Sequence, residues 1–488
     1  GTRESVIAGY FQDDWRFRPN LTLNMGLRYE FATNPSERFN NFFAVRNIFG
    51  GPLVRVKHYF DKNPTTRNFE PRVGIAWDPS GDGKTSVRAG FGIFDVLPLP
   101  WVVTPHAAGD FPFAVNARVS GKCTATITTQ CLPTGSFPKI AYSLTNFSQP
   151  AGTYVDPSGV RSYVMNWHAT VQRELVAHFT ATVGYVGSRS IHNSFGPDDI
   201  NMVFPTSQTP AGFVWPTSGG SPINPNVGIF RAIFFDATSS YRSLQVQVNR
   251  PMTKGFQFQA SYTWGKCTDT GSSGSRGDTF TNGINDLLFF DKANRRGACD
   301  FDIRHNFVMN SLWNIPSPKG NKALAAVFGH WQLGGIFSAS TGAPFSVFIA
   351  GDPLGTKLED GYQFPDRVAG CNPVTGNPDH YINGACFTVP DPTKRIGNGG
   401  RNHVYAPSQA VLNFALYRNI PIHSESFSIQ LRAEMFNALN HPNFAAPGDK
   451  TVFPSNAVPG AAPIANAGPI TSTLTANRQI QLGVRVRW

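Results

Sequence analysis

Arg478-Gln-Ile-Gln-Leu-Gly-Val-Arg-Val-Arg-Trp488 closes the sequence with an unbroken alternation. Ile480, Leu482, Val484, Val486 and Trp488 fall on one parity, and Gln479, Gln481, Gly483, Arg485 and Arg487 on the other. Period two specifies a strand with one apolar and one polar face. About 11 residues at about 3.3 Å each, tilted by about 45°, rise roughly 25 Å, the height of the apolar band of a transmembrane β-barrel. A sandwich of two sheets could also end this way, so the reading depends on whether the rest of the chain repeats the pattern.

It does, about thirteen times. Leu21, Leu23, Met25, Leu27, Tyr29 and Phe31 alternate with Thr22, Asn24, Gly26, Arg28 and Glu30. Similar segments are Ser5–Phe17, Phe69–Asp78, Thr85–Phe94, Arg161–Gln172, Phe179–Ser188, Tyr241–Arg250, Phe256–Lys266, His305–Ile315, Trp331–Thr341, Ser408–Arg418 and Phe427–Asn437. In the first of these Asp13 shares a face with Phe11 and Trp15, which leaves open a rim position or a bulge that flips the register. Connections alternate between short and long throughout. Turns such as Pro79–Lys84, Pro251–Gly255 and Asn419–Ser426 are short, and Ala323–Phe328 in another reads as a short helix. Ala32–Asn68, Asp95–Val160, Arg189–Ser240, Cys267–Arg304, Gly342–Pro407 and Ala438–Asn477 are long. Propellers and sandwiches lack this asymmetry between their two ends. An up-and-down transmembrane barrel has it, with short periplasmic turns and long extracellular loops. The expected fold is therefore all-β, an antiparallel up-and-down transmembrane β-barrel.

Composition agrees. Charged residues make up only 15% of the 488, aromatics 13%, and Gly and Pro are abundant. No apolar run approaches the length of a membrane-crossing helix. The net charge of +11 comes without a basic cluster interleaved with aromatics or a nucleic-acid motif, so nucleic acid is not an expected partner. The six cysteines fall as Cys123/Cys131, Cys267/Cys299 and Cys371/Cys386, each couple within or at the edge of one long connection. Three local disulfides and an oxidising compartment are the simplest reading, with unpaired thiols as the alternative. Scattered histidines and the lack of any Cys-x-x-Cys argue against zinc, and no metal or cofactor is expected.

The arithmetic of the strands adds a constraint. With about thirteen, the first and last run the same way and cannot close antiparallel to each other. The chain opens Gly1-Thr-Arg-Glu4 and reads as a piece of a longer protein, incomplete at its N-terminus by an odd number of strands.

Tyr10-Phe-Gln-Asp-Asp-Trp-Arg16 followed by Leu21-Thr-Leu-Asn-Met-Gly-Leu-Arg-Tyr-Glu30 resembles the barrel of TonB-dependent outer-membrane receptors. Ser261-Tyr-Thr-Trp-Gly-Lys266, Asp300-Phe-Asp-Ile-Arg-His305, Trp331–Phe345 and Arg432-Ala-Glu-Met-Phe-Asn-Ala-Leu-Asn-His-Pro-Asn-Phe444 are similar to the Oar-like branch of that family. The resemblance spans nearly the whole chain. It implies a barrel of about 22 strands, about nine of them outside this chain, with a plug and an N-terminal carboxypeptidase-regulatory-like domain that residues 1–488 lack. It also implies location in the bacterial outer membrane and partnership with outer-membrane lipid, with the barrel-assembly machinery, and with the TonB complex through the plug region alone. The ligand is not named by any motif. Gln481, Gly483, Val486 and Trp488 match the C-terminal assembly signal of outer-membrane proteins.

The implied function is ligand uptake or sensing across the outer membrane. The alternatives are a structural or adhesive surface barrel that displays its loops, and a passive porin-like channel. Enzymatic chemistry is not expected. Gly83-Lys84-Thr85 lacks the first glycine of a P-loop, Asp78 standing in its place, and is followed by a strand. Arg276-Gly-Asp278 and Asn146-Phe-Ser148 are short enough to occur by chance. The carboxylate pairs Asp13/Asp14 and Asp198/Asp199 read as solvated surface, and no Ser/His/Asp set is placed by a motif. On the polar faces stand Arg28, Glu30, Arg72, Arg88, Arg432, Glu434, Arg485 and Arg487. Salt bridges among them or to a plug are the first expectation, and a cationic lining that guides anionic solutes is the second. Trp15, Trp77 and Trp488 would lie in interfacial girdles.

Overall fold

A computed structural model describes residues 1–100, 149–272, 287–320, 322–358, 363–392, 394–424 and 427–487, with positions 102, 104, 108 and 112. The alternation seen in the sequence becomes thirteen strands in one antiparallel path: β1 (Val6–Arg18), β2 (Leu21–Ala32), β3 (Phe69–Trp77), β4 (Thr85–Asp95), β5 (Tyr163–Glu174), β6 (Thr180–Phe195), β7 (Phe230–Thr253), β8 (Phe256–Asp269), β9 (His305–Asn314), β10 (Trp331–Ser340), β11 (Gln409–Ser424), β12 (Phe427–Phe436) and β13 (Gln479–Arg487). Each pairs with its sequence neighbours, so the wall is an up-and-down meander. Two short strands, Gly152–Val155 and Gly297–Ala298, add to its long-connection end and complete a 15-stranded sheet.

Register carries each side-chain parity across the wall. Trp15, Leu23, Ile75, Ala89, Ala169, Tyr185, Leu244 and Trp264 form one continuous row on one face. Trp313, Leu333, Leu416, Ala433 and Leu482 continue that face to the last strand. On the other face Thr22, Ala76, Arg88, Thr170, Gly184, Gln245, Thr263, Asn306, Ser340 and Gln409 are in line. A slip of one residue anywhere would exchange the two faces, so an apolar surroundings on one side holds the whole register.

The short turns have their own chemistry. Thr253 pairs with Phe256 across Lys254-Gly255, both at positive φ (50° and 78°). That is the backbone of a tight two-residue hairpin, which a glycine enters without steric cost. Glycine is needed within the wall as well. A methyl group at Gly187 would lie 2.3 Å from the Trp167 ring on the paired strand. The aromatic covers the glycine and pins the pair.

Three details differ from the sequence reading. Asp13 pairs with Met25 in unbroken register, on the apolar face, and the irregularity falls at Phe17 instead. Asn419–Ser426, read as a turn, mostly continues β11, where Asn419 pairs with Gln430 and Pro421 with Ser428, and a register shift follows the proline. Proline donates no ladder bond and sits where the ladder is already interrupted. Lastly, β7 runs for 24 residues, well beyond Tyr241–Arg250. The short helix is present as α1, Lys322–Phe328.

The packed core lies above the wall, among the long connections. Phe195, Ile200, Met202, Trp215, Phe230, Leu287, Leu354 and Phe364 are buried together in one cluster. Phe345, Val347, Tyr381, Phe387, Val404, Val452 and Phe453 form a second, and Phe42, Tyr59, Phe60, Val155, Ile233 and Phe235 a third. Short pairings stitch these segments, such as Phe42–Val45 with Leu53–Val56 and Pro344–Phe345 with Val404–Tyr405. The described parts of the long connections thus form a cap with hydrophobic interiors of its own. The wall ends openly on both sides: β1 is exposed along its whole length, and β13 along nearly all of it.

Candidate ligand-facing wall and loop cap

On the polar face of β1–β5 the small residues Gly26, Gly74, Ala76, Gly90 and Gly92 leave a concavity of about 580 Å³, walled by Tyr10, Asn24, Arg28, Arg72, Arg88, Phe94, Asn166 and His168. Arg28 donates from Nε to Glu30 at 2.6 Å. Arg72 donates to Glu70 at 2.7 Å, and its guanidinium lies 4.5 Å over the Phe94 ring. Above them Arg161 grips Asp95 with two bonds, 2.6 and 3.0 Å, and the Phe69 carbonyl with a third at 2.7 Å. Asp95 N–H in turn donates to Glu70 at 3.2 Å. Arg88 is exposed and has no ion-pair partner among the described residues. The basin therefore carries a surplus positive charge ringed by aromatic and amide groups.

A second concavity, about 370 Å³, lies between β8 and β12, where Gln257, Asn310, Asn413, Tyr417 and Glu434 stand among Leu312, Ile336 and Phe436. There Tyr417 donates to Glu434 at 2.8 Å, and Arg432 donates to Gln430 at 2.7 Å with Tyr417 beneath its guanidinium. Of the charges singled out in the sequence, Arg28, Arg72 and Arg88 gather at one basin, and Arg432 and Glu434 stand by the other. Arg485 lies opposite Gln430 on the edge strand. The Arg487 side chain and Trp488 lie outside the described residues, while Gln481 and Gly483 share the polar face with Glu434 and Arg432, and Val486 pairs with Ile429 on the apolar face. The sequence reading missed Glu70, Asp95 and Arg161. Glu70 has the parity of Arg72 and could have been found by carrying the alternation two residues back through Pro71. Asp95 and Arg161 sit at strand ends, where no period identifies a partner 66 residues away.

The cap is tied to the wall through Arg401, whose side chain is 1% exposed. All of its donors are used. Nε donates to the Arg295 carbonyl at 2.9 Å; Nη1 to Ser272 Oγ at 2.9 Å and Asp300 at 3.1 Å; Nη2 to the Asp269 carbonyl at 3.0 Å and to the Asp269 carboxylate. Asn402 adds a bond to the Ala298 carbonyl at 2.8 Å and another to Asp300. Beside this cluster Cys267 and Cys299 are joined in a disulfide, Cα atoms 5.4 Å apart. A second disulfide joins Cys371 to Cys386 within the cap. Cys123 and Cys131 lie outside the described residues.

His403 follows in the same segment. Its Nδ1 donates to the Gly400 carbonyl at 2.9 Å, while Nε2 is buried without a partner. Burial, with a smaller contribution from the Arg367 charge, lowers its pKa from 6.5 to about 4. The folded cap thus holds His403 neutral at a pH where the unfolded chain protonates it. Its contribution is fully present above pH 6.5 and is lost as pH falls towards 4, at most about 3 kcal/mol. The thermal transition of the cap is expected to fall across that window, and His403→Asn is expected to flatten the dependence. An unchanged pH profile in the variant would remove His403 as the cause. Among the described residues no cluster of His, Cys, Asp and Glu is placed to hold a metal ion.

An antiparallel meander with one continuous apolar face, one polar face and all long connections at one end defines a membrane-spanning β-barrel wall. The chain belongs to the family of outer membrane beta barrel domains, whose model matches residues 1–481, and it resides in the bacterial outer membrane. It is 23% identical over 413 residues to the TonB-dependent transporter Oar of Myxococcus xanthus, covering 78% of this chain and 34% of that protein. The outer-membrane transporter YddB of Escherichia coli superposes with a TM-score of 0.50 at 9% identity, over 99% of this chain and 45% of YddB. The FrpB iron transporter of Neisseria meningitidis gives 0.44 at 11% identity, with 99% and 45% covered. The chain therefore spans less than half the length of these relatives. Its wall is thus similar in fold to the barrels of outer-membrane transporters.

Proposed function

We propose that the chain is the C-terminal part of the barrel of a TonB-dependent transporter that takes up a ligand across the outer membrane. The observation that carries this reading is the combination of a register-locked, two-faced wall with a cap of buried loop residues at its long-connection end. The cap would form the extracellular mouth, and the basin of Arg28, Arg72 and Arg88 would favour anionic groups entering the lumen. Energy would reach the ligand through the TonB complex and plug segments outside this chain. β1 and β13 run in the same direction, so an odd number of further strands would close the barrel, about nine for a wall of about 22. On this reading Gln481, Gly483, Val486 and Trp488 are the signal read by the barrel-assembly machinery, presented on an open edge.

The test uses the full-length protein in planar bilayers in KCl, together with binding to the C-terminal domain of TonB. A silent bilayer and TonB binding are the expected pair of results. A steady ohmic conductance would make the protein a passive channel. A silent bilayer without TonB binding would make it a surface-display barrel.

A further inference from the structure

Among the described residues, the connection between β9 and β10 is the longest of the short set and carries α1. Its sequence is Lys322-Ala-Leu-Ala-Ala-Val-Phe328. Leu324, Val327 and Phe328 stand at i, i+3 and i+4, which places them on one helical face. They are 47%, 55% and 58% exposed, so that face is turned away from the protein. The other side is anchored. The Arg418 guanidinium donates to the Ala326 carbonyl, and Trp331 Nε1 donates to the Val327 carbonyl at 3.0 Å. Arg418 also lies 5.4 Å over the Trp331 ring. His330 N–H donates to Ser317 Oγ at 3.1 Å, closing the connection on itself.

Trp331 shares its parity with Leu333 and pairs with Arg418, and Leu333 pairs with Trp313. The helix is thus tied to the lower margin of the apolar face of the wall, where Trp313 and Trp331 lie. Its three apolar side chains extend that face sideways. Lys319 and Lys322 stand at the start of the helix in sequence, Arg418 lies beside it, and no acidic residue occurs between Ile303 and Gly351.

We propose that α1 is an interfacial helix that lies in the periplasmic leaflet of the outer membrane. Leu324, Val327 and Phe328 would reach the acyl boundary, and the lysines would meet the phosphates of anionic phospholipids. This inference rests on the lipid-facing assignment of the wall. A protein partner fits less well. Three side chains of one seven-residue helix supply far less than the roughly 800 Å² per partner of a stable protein interface. A helix with one apolar face and lysines at its start in sequence, continuous with the apolar face of the wall, matches what a leaflet accepts. The β5–β6 connection has a single 3-10 turn, Val176–His178, at the same end of the wall, whereas the longer α1 would fix the height and rotation of the β9–β10 hairpin in the membrane.

The experiment places the full-length protein in nanodiscs of phosphatidylethanolamine and phosphatidylglycerol, the latter carrying an acyl-chain diazirine. After irradiation, labelled peptides are mapped by mass spectrometry. Labels are expected on the lipid-facing wall and on residues 322–328. The triple variant Leu324→Ser, Val327→Ser, Phe328→Ser should keep wall labelling and lose at least fivefold on the helix. Lys319→Glu with Lys322→Glu should reduce helix labelling by phosphatidylglycerol while leaving the wall unchanged. Labelled wall peptides with an unlabelled helix in the wild-type protein would overturn the proposal and leave the barrel reading standing. A wall that takes no label would overturn the barrel reading itself. In cells, cross-linking of residues 322–328 to a periplasmic protein in place of lipid would also overturn the interfacial role.

Discussion

Replacing Arg401 with alanine is expected to remove about 3–5 kcal/mol from the cap, because it takes from two buried carboxylates the guanidinium they share. Asp269 and Asp300 are 7% and 1% exposed at their side chains, and water cannot take over the role of the guanidinium. Arg401→Lys should recover only part of the loss, since an ammonium has three donors and cannot reproduce the fork that reaches Asp269, Asp300, Ser272 and the Arg295 carbonyl. The measurement is hydrogen exchange of the β10–β11 connection together with gel mobility before and after heating. Faster exchange in the cap with unchanged heat-dependent mobility of the barrel is the expected pair. Exchange equal to that of the wild-type protein would mean that the hydrophobic clusters alone hold the cap.

The second large effect separates adjacent residues. Leu482→Arg places a cation on the lipid face of β13 and is expected to cost roughly 2–4 kcal/mol if it lies near the bilayer midplane. Gln481→Arg, one residue earlier, lies on the polar face opposite Glu434 and is expected to stay within about 0.5 kcal/mol of the wild type. Both variants would be unfolded from lipid vesicles in denaturant, using the full-length protein. Equal costs at the two positions would contradict the two-faced assignment of the strand.

The thirteen wall strands were legible in the sequence because lipid on one side and a polar lumen on the other impose period two on every one of them. Met25, Leu27 and Tyr29 against Asn24, Gly26 and Arg28 show this plainly. The upper part of β7 was not legible. Phe230-Arg-Ala-Ile-Phe-Phe235 enters the cap, where both faces are covered, and a strand buried on both sides loses its alternation. The cap was invisible for the same reason in stronger form. Trp215, Leu287, Phe364 and Phe453 are buried from irregular segments that have no period to read. Arg401 illustrates the limit at the level of one residue. Nothing in Gly400-Arg-Asn-His403 distinguishes a fully buried arginine from a solvated one, and its partners lie 101 and 132 residues away. The polar basins were half legible. Arg28, Arg72 and Arg88 follow from parity, but their gathering around glycines depends on the offsets between strands.

The length of β7 has a mechanical consequence. Its 24 residues, at about 3.3 Å each, make a rod of roughly 75–80 Å that begins at Phe230 inside the cap and ends at the Lys254-Gly255 hairpin on the opposite side of the membrane. A strand resists stretching along its axis far better than it resists bending. From Phe230 to Thr253 the backbone stays one strand, with its ladder shifted near Ala237 and after Arg250, so the cap and the wall share a single element. The long connections and the short hairpin at the far end are therefore not separable units, since one strand belongs to both.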